Sequence, residues 1–199
     1  LTTGCELVPR TRISLFEDTL LPIISCANTT VYLNNLGSAS VDTSLLLTSL
    51  FDNCGIDSVY LSVTSFNCSN IGANTVTLFA RDLNGNIDSC SAVVTVLDTL
   101  TPIISCTDTT IYLNNSGVAT IDTSFVHVGS SDNCGIDSVY LSVTFFNCSN
   151  IGANTVTLFA RDVNGNIDSC DAVVTVLDTL TPVISCTDTT IYLNNSGGA

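Results

Sequence analysis

The sequence predicts an all-β protein in which one small two-sheet sandwich is used twice in tandem. Residues 18–97 and 98–177 are two copies of an 80-residue unit that differ at only 18 aligned positions, and residues 178–199 begin a third copy. Within each copy, apolar and polar residues alternate with a period of two, which is typical of strands with one buried face. Asn and Gly residues punctuate these stretches as turns. Such a repeat indicates a module stacked along the chain rather than one catalytic centre.

The alternation assigns an inward face to each predicted strand, and about six or seven strands per copy fit a two-sheet sandwich. Asn84-Gly85 lies between two of these strands and predicts a two-residue type I′ hairpin. No helical periodicity persists over several turns, so no long helix is expected. The predicted inward residues of the first copy are Val31 and Leu33; Val59, Leu61 and Val63; Val76, Leu78 and Ala80; and Cys90, Ala92, Val94 and Val96.

The charge balance excludes several classes of partner. Four Arg and no Lys stand against 18 acidic residues, which gives a formal net charge of −14. Nucleic acids and anionic lipids are bound through Lys and Arg, so neither is an expected partner. No stretch approaches the roughly 18 apolar residues of a spanning helix, so no membrane insertion is expected.

The repeat also argues against an enzyme, because a catalytic residue should recur 80 positions away. His127 is the single His of the chain, and its counterpart in the first copy is Leu47. No Ser/His/Asp or Cys/His set can therefore form in the first copy. His127 is expected to be an ordinary strand residue, and no catalytic residue is assigned.

Several motifs in a fixed order resemble the hyalin-type (HYR) repeat, an immunoglobulin-like module. Two departures are visible: Ala27 or Thr107 follows the first Cys where Pro is usual, and the mid-domain Trp is missing. The resemblance implies tandem, non-catalytic immunoglobulin-like sandwiches in secreted bacterial (bacteroidete-type) surface or fibre proteins. The motifs that carry it are Pro22–Cys26, Asp52–Asn53, Ala80–Asn86 and Cys90–Asp98.

The ten cysteines recur at fixed positions, which favours disulfides in an oxidising, extracellular location. The family pattern joins the first Cys of a copy to the last, and it leaves the two middle ones as a hairpin staple. It thereby implies Cys26–Cys90, Cys54–Cys68, Cys106–Cys170 and Cys134–Cys148. The alternative crosses the copy boundaries with Cys5–Cys26, Cys90–Cys106 and Cys170–Cys186. It requires consecutive domains to fold back on each other, because a disulfide needs Cα atoms within about 7 Å.

A polar turn in each copy spaces oxygen donors like the start of a calcium loop. We expect Ca²⁺ where this turn meets the next copy's Asp98 or Asp178, where it would stiffen the joint. The alternative is that these side chains only satisfy the backbone of the turn. The donors are Asp82, Asn84, Asn86 and Asp88 in the first copy, and Asp162, Asn164, Asn166 and Asp168 in the second.

Acceptor patterns for covalent glycans are frequent. Asp precedes Ser or Thr at 11 of its 16 occurrences, a pattern that resembles the acceptor motif of bacteroidete-type O-glycosylation. Asx turns are the alternative explanation. The predicted O-linked sites are Thr19, Thr43, Ser58, Thr99, Thr109, Thr123, Ser138, Thr179 and Thr189. The predicted N-linked sites, in Asn-x-Ser/Thr sequons, are Asn28, Asn67, Asn114, Asn147 and Asn194.

The predicted organisation is an N-terminal extension (1–17), two immunoglobulin-like repeats (18–97 and 98–177) and the first hairpin of a third repeat (178–199). An open hairpin cannot bury a face by itself. Either the chain is part of a longer array, or a neighbouring subunit completes the hairpin, with Arg10–Glu17 as an added strand and Cys5 bridging Cys186. A contact of that kind between opposite ends generates an open filament.

The expected function is therefore structural: a glycosylated segment of an extracellular filament that associates head to tail with copies of itself. The alternative is an adhesin stalk that presents loops to a carbohydrate or a surface protein. Leu45–Phe51 and Phe125–Ser131 bear on this choice, because all seven positions differ there while the flanks are nearly identical.

Overall fold

The computed structural model of the chain describes residues 18–198. The predicted strand Arg10–Glu17 and the predicted Cys5–Cys186 bridge rest on residues outside this range. Each complete repeat contains eight strands and two short helical segments fewer than five residues long.

The strands are as follows. Repeat 1 contains β1 (Ile23–Cys26), β2 (Thr29–Tyr32), β3 (Ser38–Ser40), β4 (Leu47–Phe51), β5 (Ile56–Leu61), β6 (Ser65–Asn67), β7 (Gly72–Asp82) and β8 (Ile87–Leu97). Repeat 2 contains β9 (Ile103–Cys106), β10 (Thr109–Tyr112), β11 (Val118–Thr120), β12 (His127–Ser131), β13 (Ile136–Leu141), β14 (Phe145–Asn147), β15 (Gly152–Asp162) and β16 (Ile167–Leu177). The helical segments are α1 (Thr43–Leu46) and the 3-10 turns Cys68–Asn70, Thr123–Phe125 and Cys148–Asn150.

Each repeat is a sandwich of two layers. In repeat 1, one layer is the sheet β2-β8-β7-β5, in which β2 runs parallel to β8 and the other neighbours are antiparallel. The facing layer consists of the antiparallel pairs β1-β4 and β3-β6. Repeat 2 has the same topology, with β10-β16-β15-β13 against β9-β12 and β11-β14. The prediction of tandem, disulfide-linked immunoglobulin-like sandwiches is confirmed.

The period-two alternation explains the core. Val76, Leu78 and Ala80 on β7 are at most 1% exposed, and Ala92, Val94 and Val96 on β8 are at most 3% exposed. Leu46 and Phe66 belong to the same buried cluster as Val76, Ala92, Val94 and Val96. Burial of each Val or Leu side chain stabilises the fold by roughly 1.5–3 kcal/mol. Val63 is the exception to the predicted faces, because it follows the end of β5 and is 41% exposed.

The turn at Asn84-Gly85 is wider than the predicted two-residue hairpin. Four residues connect β7 to β8, and the Asp82 N–H donates to the Asn86 carbonyl across the loop at 3.0 Å. The Asp82 carboxylate accepts the backbone N–H groups of Asn84 and Asn86 at 2.9 and 2.8 Å. The side chain thus fills the loop from inside, and Gly85 supplies the positive φ of 97° that closes it.

The predicted first hairpin is wrong. β1 and β2 are neighbours in sequence, but β1 pairs with β4 and β2 pairs with β8, so they lie in different layers. Residues 178–198 form no strand or helix in the structure.

Candidate functional site at the joint between the repeats

One disulfide in each repeat ties the two layers of the sandwich together. Cys26 at the end of β1 pairs with Cys90 on β8, and Cys106 pairs with Cys170 at the equivalent positions of repeat 2. Both pairings are those the family resemblance implies. Each bridge spans a sequence separation of 64 residues, and a loop of that size gives a stabilisation of about 4 kcal/mol in the chain-entropy model.

A third disulfide joins the two repeats to each other. Cys68 pairs with Cys134, with Cα atoms 5.5 Å apart. The predicted staples Cys54–Cys68 and Cys134–Cys148 are therefore wrong. Cys54 is also disulfide-bonded, whereas Cys148 and Cys186 are free and exposed. The boundary-crossing alternative fails as well, because Cys90 and Cys106 are each paired within their own repeat.

The length of β8 explains how Cys68 and Cys134 meet. This strand has 11 residues, so it carries the chain about 36 Å along the domain. One end of each repeat thus holds the turn after β7, and the opposite end holds the 3-10 turn with Cys68. Because the second repeat follows directly, the Cys68 end of repeat 1 faces the end of repeat 2 that holds Asp98 and Cys134.

Asn133 and Gly37 form the rest of the contact at this joint. The side-chain amide of Asn133 donates to the backbone carbonyl of Asn34 at 3.3 Å, and the Cys68 Sγ lies 3.4 Å from the Asn133 carbonyl oxygen. Gly37 has a φ of +66°, and a Cβ there would lie 2.7 Å from both the Asn133 carbonyl oxygen and the Cys68 Sγ. Only glycine permits this close approach.

A cluster of three carboxylates lies at the same end of each repeat. Asp18, Asp52 and Asp82 form it in repeat 1, and Asp98, Asp132 and Asp162 form it in repeat 2. In each group one oxygen from every residue lies within 4.8 Å of the others. The members come from the start of the repeat, the loop after the fourth strand and the end of the seventh strand.

The clusters correct the predicted metal ligands. Asp98 was expected to meet the Asp82 turn of the preceding repeat, but it lies with Asp162 of its own repeat, because β8 separates it from Asp82. Asn86 and Asn166 donate their side-chain amides to Asp82 and Asp162 at 2.7 Å. The predicted ligands Asn84 and Asn164 contact Asp82 and Asp162 through their backbone N–H groups, at 2.9 Å each. The other predicted carboxylates lie outside both clusters: Asp88, Asp168 and Asp178.

Asp82 shows the electrostatic balance of such a cluster. Burial raises the pKa of its carboxyl group, but the hydrogen bonds from the side chain and backbone of Asn86, together with those from Gly85 and Asn84, outweigh that effect. The net pKa of Asp82 is lowered. The hydrogen bonds of the loop therefore favour the ionised form of Asp82 over the protonated form.

Asp18, Asp52 and Asp132 were missed as cluster members. They lie far from the polar turn in sequence, so spacing within the turn could not reveal them. Two signals were available: Asp52 belongs to the Asp-Asn motif of the resemblance, and Asp18 recurs as Asp98 at the copy boundary.

The predicted glycan acceptors all lie at partly or fully exposed positions. Several Asp-Ser/Thr pairs also form Asx turns: the Asp18 carboxylate accepts the Leu20 N–H at 3.1 Å, and that of Asp42 accepts the Ser44 N–H at 2.9 Å. The Asn28 side-chain oxygen accepts the Val93 N–H at 2.8 Å. Turn chemistry thus accounts for part of the pattern, and glycosylation stays a prediction.

His127 lies on β12, as expected for a strand residue, with its Nε2 3.2 Å from the Ser130 Oγ. In the range 18–198, none of the helices has the length and apolar character needed to cross a membrane.

Fold and disulfides define the class of this protein as a tandem array of immunoglobulin-like β-sandwiches. The model of the HYR domain matches residues 17–96 and 97–176, and the chain belongs to the HYR domain family. Hyalin from Strongylocentrotus purpuratus is 30% identical over 178 residues, which cover 85% of this chain and 15% of hyalin. The chain thus spans a small part of the length of this relative, and the expected bacterial source stays a prediction.

The chain also matches solved structures at low TM-scores and low sequence identity. Human protocadherin-24 EC1-2 has a TM-score of 0.40 at 11% identity, covering 79% of this chain and 99% of the protocadherin fragment. The I-band fragment I67–I69 of titin has a TM-score of 0.36 at 14% identity, covering 79% of this chain and 66% of the fragment.

Proposed function

We propose that the chain is a structural segment of an extracellular fibre, in which consecutive HYR repeats are connected both by the peptide chain and by a disulfide. The observation that carries the proposal is the Cys68–Cys134 bridge. Family membership supports a structural or adhesive role. The disulfides support an extracellular location, because they persist in oxidising compartments.

A second covalent connection restricts how two domains bend. A peptide linker alone leaves consecutive domains free to rotate, and such relative motion is the default for tandem modules. The bridge adds a fixed point away from the linker Asp98–Pro102, and Gly37 and Asn133 pack beside it. Two separate attachment points remove most of the hinge motion, which suits a stiff rod better than a flexible tether.

The exposed end of repeat 2 supports head-to-tail continuation with further copies of the repeat. Cys148, Gly117 and Asn114 correspond to Cys68, Gly37 and Asn34, and Cys148 is a free, exposed thiol. A Cβ at Gly117 would lie 2.7 Å from the Cys148 Sγ, so the glycine keeps its place beside the sulfur. In the proposed array, this end of repeat 2 contacts the end of another repeat that carries the equivalent of Cys134.

The disulfides within the repeats suit a fibre under tension. Cys26–Cys90 spans a separation of 64 in an 80-residue repeat. A fully extended chain spans about 3.3–3.6 Å per residue. The unfolded chain of an oxidised repeat can therefore span at most about 60 Å, against about 270 Å for a reduced one.

One observation favours ligand binding by an adhesin stalk as a second candidate. The segment in which the repeats differ includes strands β4 and β12, on which Phe51 and Val128 are each 65% exposed. Binding of the chain to a glycan array, lost when Phe125–Ser131 is replaced by the sequence of Leu45–Phe51, would support this candidate. No binding to any array member would argue against it.

The experiment for the fibre proposal compares two Cys variants of the whole chain. We expect the double variant Cys68→Ser/Cys134→Ser to broaden the distribution of distances between spin labels placed on the two repeats. The matched control Cys148→Ser removes the equivalent sulfur where it has no partner, and it should keep the narrow distribution of the parent.

Equal, narrow distributions in all three proteins would show that the bridge does not set the joint. Electron microscopy of the native material is the second arm: the proposal expects long unbranched filaments, and lone particles only would overturn it.

A further inference from the structure

The carboxylate cluster of repeat 2 brings three Asp side chains together, and none of them forms an ion pair with an Arg among residues 18–198. Asp98 lies between β8 and β9, Asp132 directly follows β12, and Asp162 ends β15. One oxygen of each lies within 4.8 Å of the others. The two ion pairs seen among residues 18–198, Arg81–Asp57 and Arg161–Asp137, go to other, half-exposed carboxylates.

The hydrogen bonding of Asp98 is an independent indication that the cluster binds a ligand. Its side chain is only 8% exposed. The Oδ1 accepts the Leu100 N–H and the Asn133 side-chain amide, each at 3.2 Å, whereas the Oδ2 is buried and has no hydrogen-bond partner. A buried carboxylate oxygen without a partner is strongly unfavourable, so an unpaired one calls for a ligand.

Two further side-chain oxygens of repeat 2, on Asp132 and Asn133, are also buried without a hydrogen-bond partner. The Asp132 Oδ1 accepts the N–H groups of Cys134 and Gly135, and its Oδ2 is buried without a partner. The side-chain oxygen of Asn133 is likewise buried and unpaired. Asp98 and Asp132 of the cluster thus each present an unpaired oxygen, next to the carboxylate of Asp162.

We propose that each cluster binds one Ca²⁺ ion. The donors are all oxygens, which exclude the N and S ligands that zinc prefers and suit a hard divalent cation. Ca²⁺ binds oxygen at about 2.3–2.6 Å, so oxygens as close as these can share one ion. Ca²⁺ also accepts irregular sets of carboxylate and amide oxygens, whereas Mg²⁺ demands a near-octahedral shell.

Repeat 1 contains the same arrangement 80 positions earlier. Asp18 is 8% exposed and Asp82 is 1% exposed, as buried as Asp98 and Asp162. The Asp52 Oδ2 is buried and unpaired, like that of Asp132. The chain should therefore bind two Ca²⁺ ions. The sites belong to the single repeat, so they do not depend on the fibre proposal.

The repeat 2 site adjoins the joint. The Asn133 side chain donates both to Asp98 within the site and to the Asn34 carbonyl of repeat 1, and the next residue is Cys134 of the bridge. An ion held by Asp98 and Asp132 would fix the segment that carries Asn133 and Cys134.

The test measures the binding of CaCl₂ to EDTA-treated protein by isothermal titration calorimetry, with three proteins. We expect two ions bound by the parent and one by Asp132→Asn. The matched control is Asp171→Ser, which also removes one negative charge from repeat 2 and places there the Ser that repeat 1 has at Ser91. It should bind two ions, and no binding at millimolar Ca²⁺ or equal binding by all three would overturn the proposal.

Thermal melting separates a ligand from a purely structural residue. Without Ca²⁺, Asp132→Asn should melt higher than the parent, because an amide removes repulsion inside the cluster. With millimolar CaCl₂ the order should reverse. A variant that melts below the parent in both conditions would assign Asp132 a structural role only, and equal stabilisation by MgCl₂ would overturn the choice of Ca²⁺.

Discussion

One seven-residue segment has the same sequence in both repeats, but its cysteine is bonded in repeat 1 and free in repeat 2. Phe66–Gly72 and Phe146–Gly152 are identical in sequence. In both, the Asn before the Cys accepts the N–H of the following Ser and caps a 3-10 turn. Yet Cys68 is half-buried in a disulfide, and Cys148 is an exposed thiol. Gly37 is buried beside the first, and Gly117 is only half-buried beside the second.

The backbone at the docking end is therefore the same whether or not a neighbouring repeat contacts it. The two glycines have nearly the same backbone, with φ of +66° and +72°. Local sequence therefore sets the shape of the docking end, and the neighbour decides only whether the sulfur is covered and bonded.

The largest expected effect is on the free energy of unfolding, at a core position where the two repeats have different residues that are equally buried. Leu46 and Val126 occupy equivalent positions and are 1% and 0% exposed. We expect Leu46→Ala to lower the free energy of unfolding by about 3 kcal/mol, and Val126→Ala by less, because fewer methyl groups are lost. Urea denaturation measures both. Losses below about 1 kcal/mol would mean that this segment is not part of the core.

The next effect tests the joint itself. Gly37→Ala and Gly117→Ala share the strain of a side chain at positive φ, about 1–2 kcal/mol. Only Gly37 also meets backbone of the other repeat, the Asn133 carbonyl at 2.7 Å, whereas Gly117 meets a side-chain sulfur that can rotate away. We expect free-thiol titration to detect unformed Cys68–Cys134 bridge in Gly37→Ala alone. The same thiol count in both variants would contradict the close approach at Gly37.

A smaller effect concerns pH and should be the same in both repeats. The Ser44 hydroxyl lowers the pKa of Asp42, and the Ser124 hydroxyl lowers that of Asp122, because each donates to the carboxylate. A folded-state pKa below the unfolded value stabilises the fold above about pH 4. That contribution is lost as the pH falls through the folded value.

Urea midpoints measured between pH 5 and pH 2 should therefore fall, and Asp42→Asn and Asp122→Asn should each flatten the slope by a similar amount. A slope that only one variant changes would show that the two caps are not equivalent.

The smallest effect is expected at a surface difference between the copies. Asp171 accepts the Thr157 hydroxyl at 2.8 Å on the exposed face of repeat 2, where repeat 1 has Ser91. We expect Asp171→Ser to change the free energy of unfolding by less than about 0.5 kcal/mol. A loss above about 1 kcal/mol would show that the two sheet surfaces are not interchangeable.

The fold was largely predictable because its signals are local. The alternation along β7 and β8 identifies Val76, Leu78, Val94 and Val96 as core without knowledge of any partner strand. The pairing of strands was less accessible: β1 and β2 look like a hairpin in sequence, yet their partners β4 and β8 are distant in the chain. Non-local pairing of this kind leaves no short-range pattern.

The candidate site was predictable only in part. The polar turn singles out Asp82 and Asp162, but Asp52 and Asp132 join them only once the sandwich is folded. Cys68–Cys134 depends on how one repeat docks on the next, and a pairing within the repeat seemed natural from sequence because Cys54 and Cys68 are close in the chain. The sequence identifies which cysteines can form disulfides, but the contact between the domains determines which of them pair.

The three bridges give the molecule tolerance of proteolytic cleavage. A cut inside the Cys26–Cys90 or Cys106–Cys170 loop leaves both fragments linked through sulfur, and a cut between Cys90 and Cys106 leaves the halves linked through Cys68–Cys134. No single break between residues 26 and 170 can release a piece. A strand of such units would keep its length and continuity among secreted proteases until two cuts fell in the same covalent ring.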